Sequence, residues 1–162
     1  MATVLPVRRF LSNAGSVNLA VNGSVTPVPF TMSVASNELF SVDELIFQMT
    51  GTGTINSVTD FWNFPALTNG ISTDLILGAA TQSLTGIIKS NFDMIQFLGA
   101  DVLTKLIGSY NVVRGVISFK TPISFNGARG DLYRVIIRDN MLTGGAITQF
   151  TVCMRGTMVT KP

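Results

Sequence analysis

The side chains that could do chemistry fall in four places. Glu38, Asp43 and Glu44 cluster in "NELFSVDE", and paired carboxylates can serve glycoside hydrolysis or hold calcium. Asp43 and Glu44 are sequence neighbours, so in a strand they would point to opposite faces, and the Asp-x-Asp spacing of a calcium loop is missing. Cys153 is the single cysteine. A nucleophilic thiolate needs a base or cation beside it, and Arg155 is the only local candidate, so Cys153 reads as a small strand residue between Val152 and Met154. "GTGTIN" (51–56) offers Gly51 and Gly53, but Asn56 stands where a dinucleotide fingerprint has its third glycine, and no βαβ pattern follows. "DFWNF" (60–64) gathers Phe61, Trp62 and Phe64, which could stack on a sugar, meet a partner, or plug the end of a core. The chain has no histidine, which removes Ser-His-Asp and Cys-His constellations and imidazole-built zinc sites. The expectation is no enzyme: no catalytic residue, no metal ligand and no cofactor.

The elements that would position these residues are strands. "VNLAV" (17–21) runs into an Asn-Gly turn of the hairpin kind, and the following stretch 25–34 places Val28, Phe30, Met32 and Val34 on one side and Pro27, Pro29, Thr31 and Ser33 on the other. Two prolines in so well patterned a strand mark an edge, a bulge or a strand start. "LFSVDELIFQM" (39–49) is apolar on both faces in its second half, which predicts double coverage or a bulge. "ISTDLIL" (71–77) alternates through Ile71, Thr73, Leu75 and Leu77. "NVVRGVISFKT" (111–121) sets Val113, Ile117 and Phe119 on one face. "DLYRVIIRD" (131–139) sets Tyr133, Val135 and Ile137 against Arg134 and Arg138, and "ITQFTVCMRG" (147–156) sets Phe150, Val152 and Met154 against Gln149, Thr151 and Arg155. This period-2 alternation is the mark of half-buried antiparallel strands. Helix signals are few: a short turn within 57–67 stopped by Pro65, and two turns over 99–108 between Asp101 and Gly108. The fold class predicted is all-β, a single antiparallel sandwich or barrel over residues 17–162 with one or two short helical turns, preceded by an N-terminal arm or first strand over 1–16.

Composition agrees. The chain has 162 residues, 46% hydrophobic and only 12% charged, with a net charge of +2; average proteins carry about 25% charged residues. Such a surface is polar but uncharged, or partly covered by neighbours. Only Arg8 and Arg9 are adjacent among the basic residues, so the basic stripe of a nucleic-acid binder is lacking. Arg8 and Arg9 also interrupt the apolar start that a secretory signal requires, and no run reaches the 18 or so apolar residues of a membrane span. Synthesis in the cytoplasm is the expectation.

Several stretches together resemble small β-rich proteins of tailed bacteriophages. "VNGSVTPVPFTMSV" (21–34) resembles a strand motif near their start, "LTNGI" (67–71) and "IKSNFD" (88–93) resemble their middle region, and "YRVIIRDNMLTGGAITQFTVCMRG" (133–156) resembles their closing hairpin. The likeness runs in order over roughly residues 17–156 and departs at the second glycine of "TGG" (143–145). It implies a jelly-roll-like sandwich and a virion component that binds copies of itself and a particle surface, with no catalytic residues to carry over. The leading expectation is a head decoration (cement) protein, a homo-oligomer with a trimer as first guess, seated on the major capsid protein or other virion proteins. Arg8 and Arg9 would then meet an acidic shell, and Phe61, Trp62 and Phe64 are further possible partner contacts. A neck, collar, tail or fibre-base component is the first alternative, and a carbohydrate-binding sandwich the second. The localisation expected is the virion, after synthesis in the bacterial host, with no membrane and no direct nucleic-acid contact.

Overall fold

A computed structural model describes residues 7–12, 17–18, 22–51, 66–90, 92–93, 105–107, 110–141 and 147–160. Ten strands follow one another: β1 (Val7–Ser12), β2 (Val17–Asn18), β3 (Val28–Ser33), β4 (Glu38–Gly51), β5 (Ile71–Leu77), β6 (Ala80–Ser83), β7 (Lys105–Ile107), β8 (Tyr110–Asn126), β9 (Leu132–Ile137) and β10 (Ile147–Thr160), with a 3-10 turn at Gly127–Arg129. One sheet has the order β1-β10-β4-β8-β7, with β2 also on β10, and the other has β3-β9-β5-β6. Every pairing is antiparallel.

Without the short β2 and β7, the chain changes sheet at every connection except the β5–β6 hairpin. That alternation is the jelly roll, a sandwich of two Greek keys, and it realises the sandwich rather than the barrel of the two architectures the patterning allowed. It puts the last residues of β4, β6 and β9 and the first of β3, β5 and β10 at one end of the sandwich. The tight β3–β4, β5–β6 and β8–β9 turns lie at the other.

The core lies between the sheets. Phe40, Val42, Leu45, Phe125, Val152, Met154 and Met158 from one sheet pack with Met32, Ile71, Leu75, Tyr133, Val135 and Ile137 from the other. The face of β9 is the one predicted: Tyr133, Val135 and Ile137 are buried, and their neighbours half-buried. In β4 the inward positions shift from Phe40 and Val42 to Leu45. A bulge at Asp43 causes this, since Val42 pairs with Gly156 while Glu44 already pairs with Arg155. The two-faced apolar pattern of this stretch thus contains a bulge, which slips the register by one residue. Gly156 sits where the bulged backbone comes closest; a β-carbon there would collide with the Ser41 carbonyl and lie 2.8 Å from Val42 Cα.

Some expectations need correction. Lys105–Ile107 is a strand paired with β8, not the end of a helix; three residues that complete a ladder at a sheet edge override a weak helical pattern. Residues 66 and 67 are not helical, while 57–65 lie outside the described residues. The 3-10 turn forms instead at Gly127–Arg129, where Asn126 accepts the Ala128 N–H. β5 is not half-buried: Ser72 and Asp74 are as inaccessible as its apolar face. The arginines of β9 lie over them, Arg134 on Asp74 at 2.7 Å and Arg138 on Ser72 at 2.6 Å.

Candidate functional site

Among the described residues no three of His, Cys, Asp and Glu come together to hold a metal ion. Glu38 accepts the Ala35 N–H at 3.1 Å, and Glu44 is bound by Arg155 at 2.8 Å. These two carboxylates are thus engaged with different partners. Cys153 is buried, and burial pushes its thiol up, only partly offset by the charge of Arg114. A thiol held protonated in this way is a poor nucleophile. Gly51 ends β4, and the rest of "GTGTIN" lies outside the described residues.

Of the expected partner contacts, Arg8 pairs with Thr157 and Arg9 with Gly156 in the β1–β10 ladder. Phe61, Trp62 and Phe64 lie outside the described residues, in the connection between β4 and β5.

The organised polar site is one that the alternation did not reveal. Four turn-forming stretches far apart in sequence meet where β9 ends and β3 and β5 begin. At its centre is Asp139, 9% exposed. Its carboxylate accepts backbone N–H groups from Thr68 at 3.2 Å, Asn69 at 3.1 Å and Gly70 at 2.5 Å. Its own carbonyl accepts the Gly23 N–H at 2.9 Å. Asn69 returns a side-chain hydrogen bond to the Arg138 carbonyl, and Arg138 N–H donates to the Gly70 carbonyl. Gly70 takes a φ of 78°, open to glycine at little cost, and Ile87 and Lys89 crowd the side a β-carbon would occupy.

The stretch 88–93 closes the assembly. Ile88 exchanges backbone hydrogen bonds with Ile71, and the Lys89 carbonyl accepts the Leu67 N–H at 2.8 Å. Asp93 accepts from the N–H groups of Lys89 and Ser90, and Ser90 Oγ accepts from the Asp93 N–H, the reciprocal logic of a capping box. Asn22 bridges to Asn140 and accepts the Ser24 N–H at 3.0 Å. Leu67, Ile71, Ile88, Ile137 and Met141 are buried in the core at this end. The sequence signal was present in the turn residues of "NGS", "LTNGI", "KSNFD" and "RDN", but nothing in them said that they would meet.

No protein-family model matches this chain, and no curated protein does. Among solved structures it is similar to a chain in the complex of the Aeromonas sobria serine protease with its chaperone, at 10% identity and a TM-score of 0.36, over 96% of this chain and 27% of that one. The same protease alone gives 10% identity and 0.33, over 98% and 27%. The infectious bursal disease virus Gx strain gives 11% identity and 0.23, over 98% and 42%. This chain thus spans less than half of each, and likenesses at these scores assign no function.

Proposed function

We propose that this chain is a structural protein of a bacteriophage virion, a decoration or cement protein that associates with copies of itself and binds the head surface. The observation that carries this reading is the convergence at Asp139. The quoted stretches behind the resemblance, spread from Asn22 to Asn140, come together as one hydrogen-bonded assembly in a jelly roll, an architecture that viral capsid domains share with lectins and cupins.

The surface chemistry supports the same reading. The described carboxylates hold strands and loops together and leave a weakly charged exterior. β3 forms one edge of its sheet, and Pro29 within it and Pro27 just before it are both exposed. Proline on an edge strand discourages open-ended pairing with another chain, which matters for a protein held at high local concentration on a particle.

The test is immunogold electron microscopy of the virus that encodes the chain. Label spread over the heads is the expected result. Label confined to the neck or tail would replace decoration by the connector or fibre-base role. Absence of label from intact particles would overturn the virion reading altogether and leave sugar binding, lost on Trp62→Ala, as the alternative to pursue.

A further inference from the structure

The sequence holds three Asn-Gly pairs, Asn22-Gly23, Asn69-Gly70 and Asn126-Gly127. Asparagine is a chemically labile residue, most of all before glycine, whose nitrogen has no side chain in its way and whose backbone turns freely. Once the glycine nitrogen has given its proton to solvent base, it attacks the asparagine Cγ. The N–Cγ bond forms, the Cγ–Nδ2 bond breaks, ammonia leaves, and a five-membered succinimide remains. Water then opens either carbonyl of the ring, to give aspartate, or isoaspartate with an extra carbon in the main chain.

Asp139 stands over two of the three pairs. Its carboxylate accepts the Gly70 N–H at 2.5 Å, and its backbone carbonyl accepts the Gly23 N–H at 2.9 Å. The asparagines in front of them are exposed, whereas both glycines are buried. Reaction at either pair requires the glycine N–H to leave its acceptor and the peptide plane to swing until the nitrogen faces Cγ. Packing opposes that swing. A β-carbon on Gly23 would collide with the Ile137 carbonyl, and one on Gly70 would meet Ile87 and lie 2.7 Å from the Ile88 carbonyl oxygen. The asparagine side chains are turned to other partners as well: Asn69 Nδ2 donates to the Arg138 carbonyl at 3.3 Å, and Asn22 Oδ1 accepts the Ser24 N–H at 3.0 Å. Asn126 lies at the other end of the sandwich, where its Oδ1 accepts the Ala128 N–H at 3.1 Å, so its state is independent of Asp139.

We propose that Asp139 is a chemical lock: by holding the Gly23 and Gly70 N–H groups it keeps the exposed Asn22 and Asn69 in the amide form, and these become deamidation sites only when this end of the fold opens. The lock protects its own surroundings, because the reaction would put a new carboxylate or an extra backbone carbon beside Asp139. It stands on this geometry alone and does not depend on the virion reading.

The experiment incubates the chain at mildly alkaline pH and follows each asparagine by peptide mapping with tandem mass spectrometry, which separates Asn from Asp and isoaspartate. The folded parent, Asp139→Ala and Gly156→Ala are compared, with the parent in urea as the unlocked reference. Asp139→Ala removes the acceptor of Gly70 and retains the carbonyl that holds Gly23, while Gly156→Ala loosens the fold at the β4 bulge instead. The folded parent should react at Asn22 and Asn69 at least about tenfold more slowly than the parent in urea. Asp139→Ala should speed Asn69 by about tenfold or more, with Asn22 and Asn126 lagging behind, and Gly156→Ala should leave all three near the parent rates. Asn69 as slow in folded Asp139→Ala as in the parent would overturn the lock. So would an equal rise at all three asparagines, or the same rise in Gly156→Ala, since either traces the protection to folding as a whole. Should Asp139→Ala not fold, hydrogen exchange in the parent decides: Gly23 and Gly70 amides that exchange as slowly as that of Val135 support the lock, and exchange at the rate of an open loop overturns it.

Discussion

Replacing Asp139 by Asn tests whether the convergence of turns is what holds the open end of the jelly roll. The substitution preserves size and leaves the backbone carbonyl that accepts from Gly23, so it isolates the carboxylate. That group takes N–H donors from three successive residues, Thr68, Asn69 and Gly70, at a site only 9% exposed. Hydrogen bonds to a charged acceptor contribute about 1.5–3 kcal/mol each. Asn can satisfy one donor or two with its remaining oxygen, and it turns an NH2 group towards the others. A net loss of about 3 kcal/mol follows, with some relief if the loop at 68–70 shifts. For a domain of this length each kcal/mol moves the midpoint by about 2–4 °C, so the melting temperature should fall by about 6–12 °C. Circular dichroism melts, paired with urea titrations at unchanged m-value, read this directly. Asp93→Asn, at a half-buried site within a local turn, should cost about 1 kcal/mol. A variant at Asp139 that melts within about 2 °C of the parent would show that the loops hold their positions by packing alone.

Gly156→Ala would set a methyl group against the Ser41 carbonyl at the β4 bulge; overpacking of this kind costs about 1–3 kcal/mol, visible in the urea midpoint, and an unchanged midpoint would mean that the bulge can open freely. Asp131 is held below the usual carboxylate range, chiefly by the Arg129 side chain, with the Asn126 and Gly78 N–H groups assisting and burial opposing. Since its native value lies below the unfolded value of about 3.9, its contribution is present above that pH and fades as the pH falls through the native value; Asp131→Asn should flatten the acid limb of the stability curve below about pH 4, and an acid limb as steep as the parent's would count against the assignment. The double variant Pro27→Val, Pro29→Thr should form larger assemblies at high concentration in light scattering, because it restores an unbroken edge strand; a variant as soluble as the parent would remove the protective role of the prolines.

The parts of this fold that the sequence made legible are those governed by nearest neighbours on one face. β9 shows its buried and half-buried positions in strict alternation. The Asn22 side chain does accept the N–H two residues on, but the hairpin expected there does not form, because β2 pairs with β10 and β3 with β9 in the other sheet. What was not legible depends on partners distant in the chain. Ser72 and Asp74 looked like a solvent face until Arg134 and Arg138 came to lie on them from more than fifty positions away. β8 runs past the stretch read as a strand, because the four residues Phe119 to Pro122 bow out between the Ser118 and Ile123 pairings with β4 and the ladder then resumes to Asn126; a Lys-Thr-Pro sequence gives no local hint of that. For the site, the sequence signal named turns and aromatic residues one by one. That Asp139 would serve as the acceptor for a loop some seventy residues earlier is a property of the jelly-roll connection, which brings the ends of β9 and the start of β5 together.

The scarcity of charge acquires a definite meaning in the folded chain. Glu38, Glu44, Asp74, Asp93, Asp131 and Asp139 each accept a hydrogen bond from a backbone N–H or an arginine, and Asp43 also has a partner. Arg134 to Asp74 and Arg155 to Glu44 join segments distant in the chain, as does Asp139 through its backbone donors, while the bonds of Glu38 and Asp93 are local. Arg129, Arg134 and Arg155 are neutralised in ion pairs, and with only 12% charged residues in the chain its surface is weakly charged. A surface of this kind cannot draw a partner from a distance by field strength; it must hold by apolar contact and hydrogen bonding once it arrives. Binding to a particle should then weaken by only a fewfold when salt is raised from about 50 to 200 mM, against the loss of about 10³–10⁵ expected of a protein with many phosphate contacts. A steep salt dependence would mean that the basic residues outside these pairs, Arg8 and Arg9 foremost, form the contact after all.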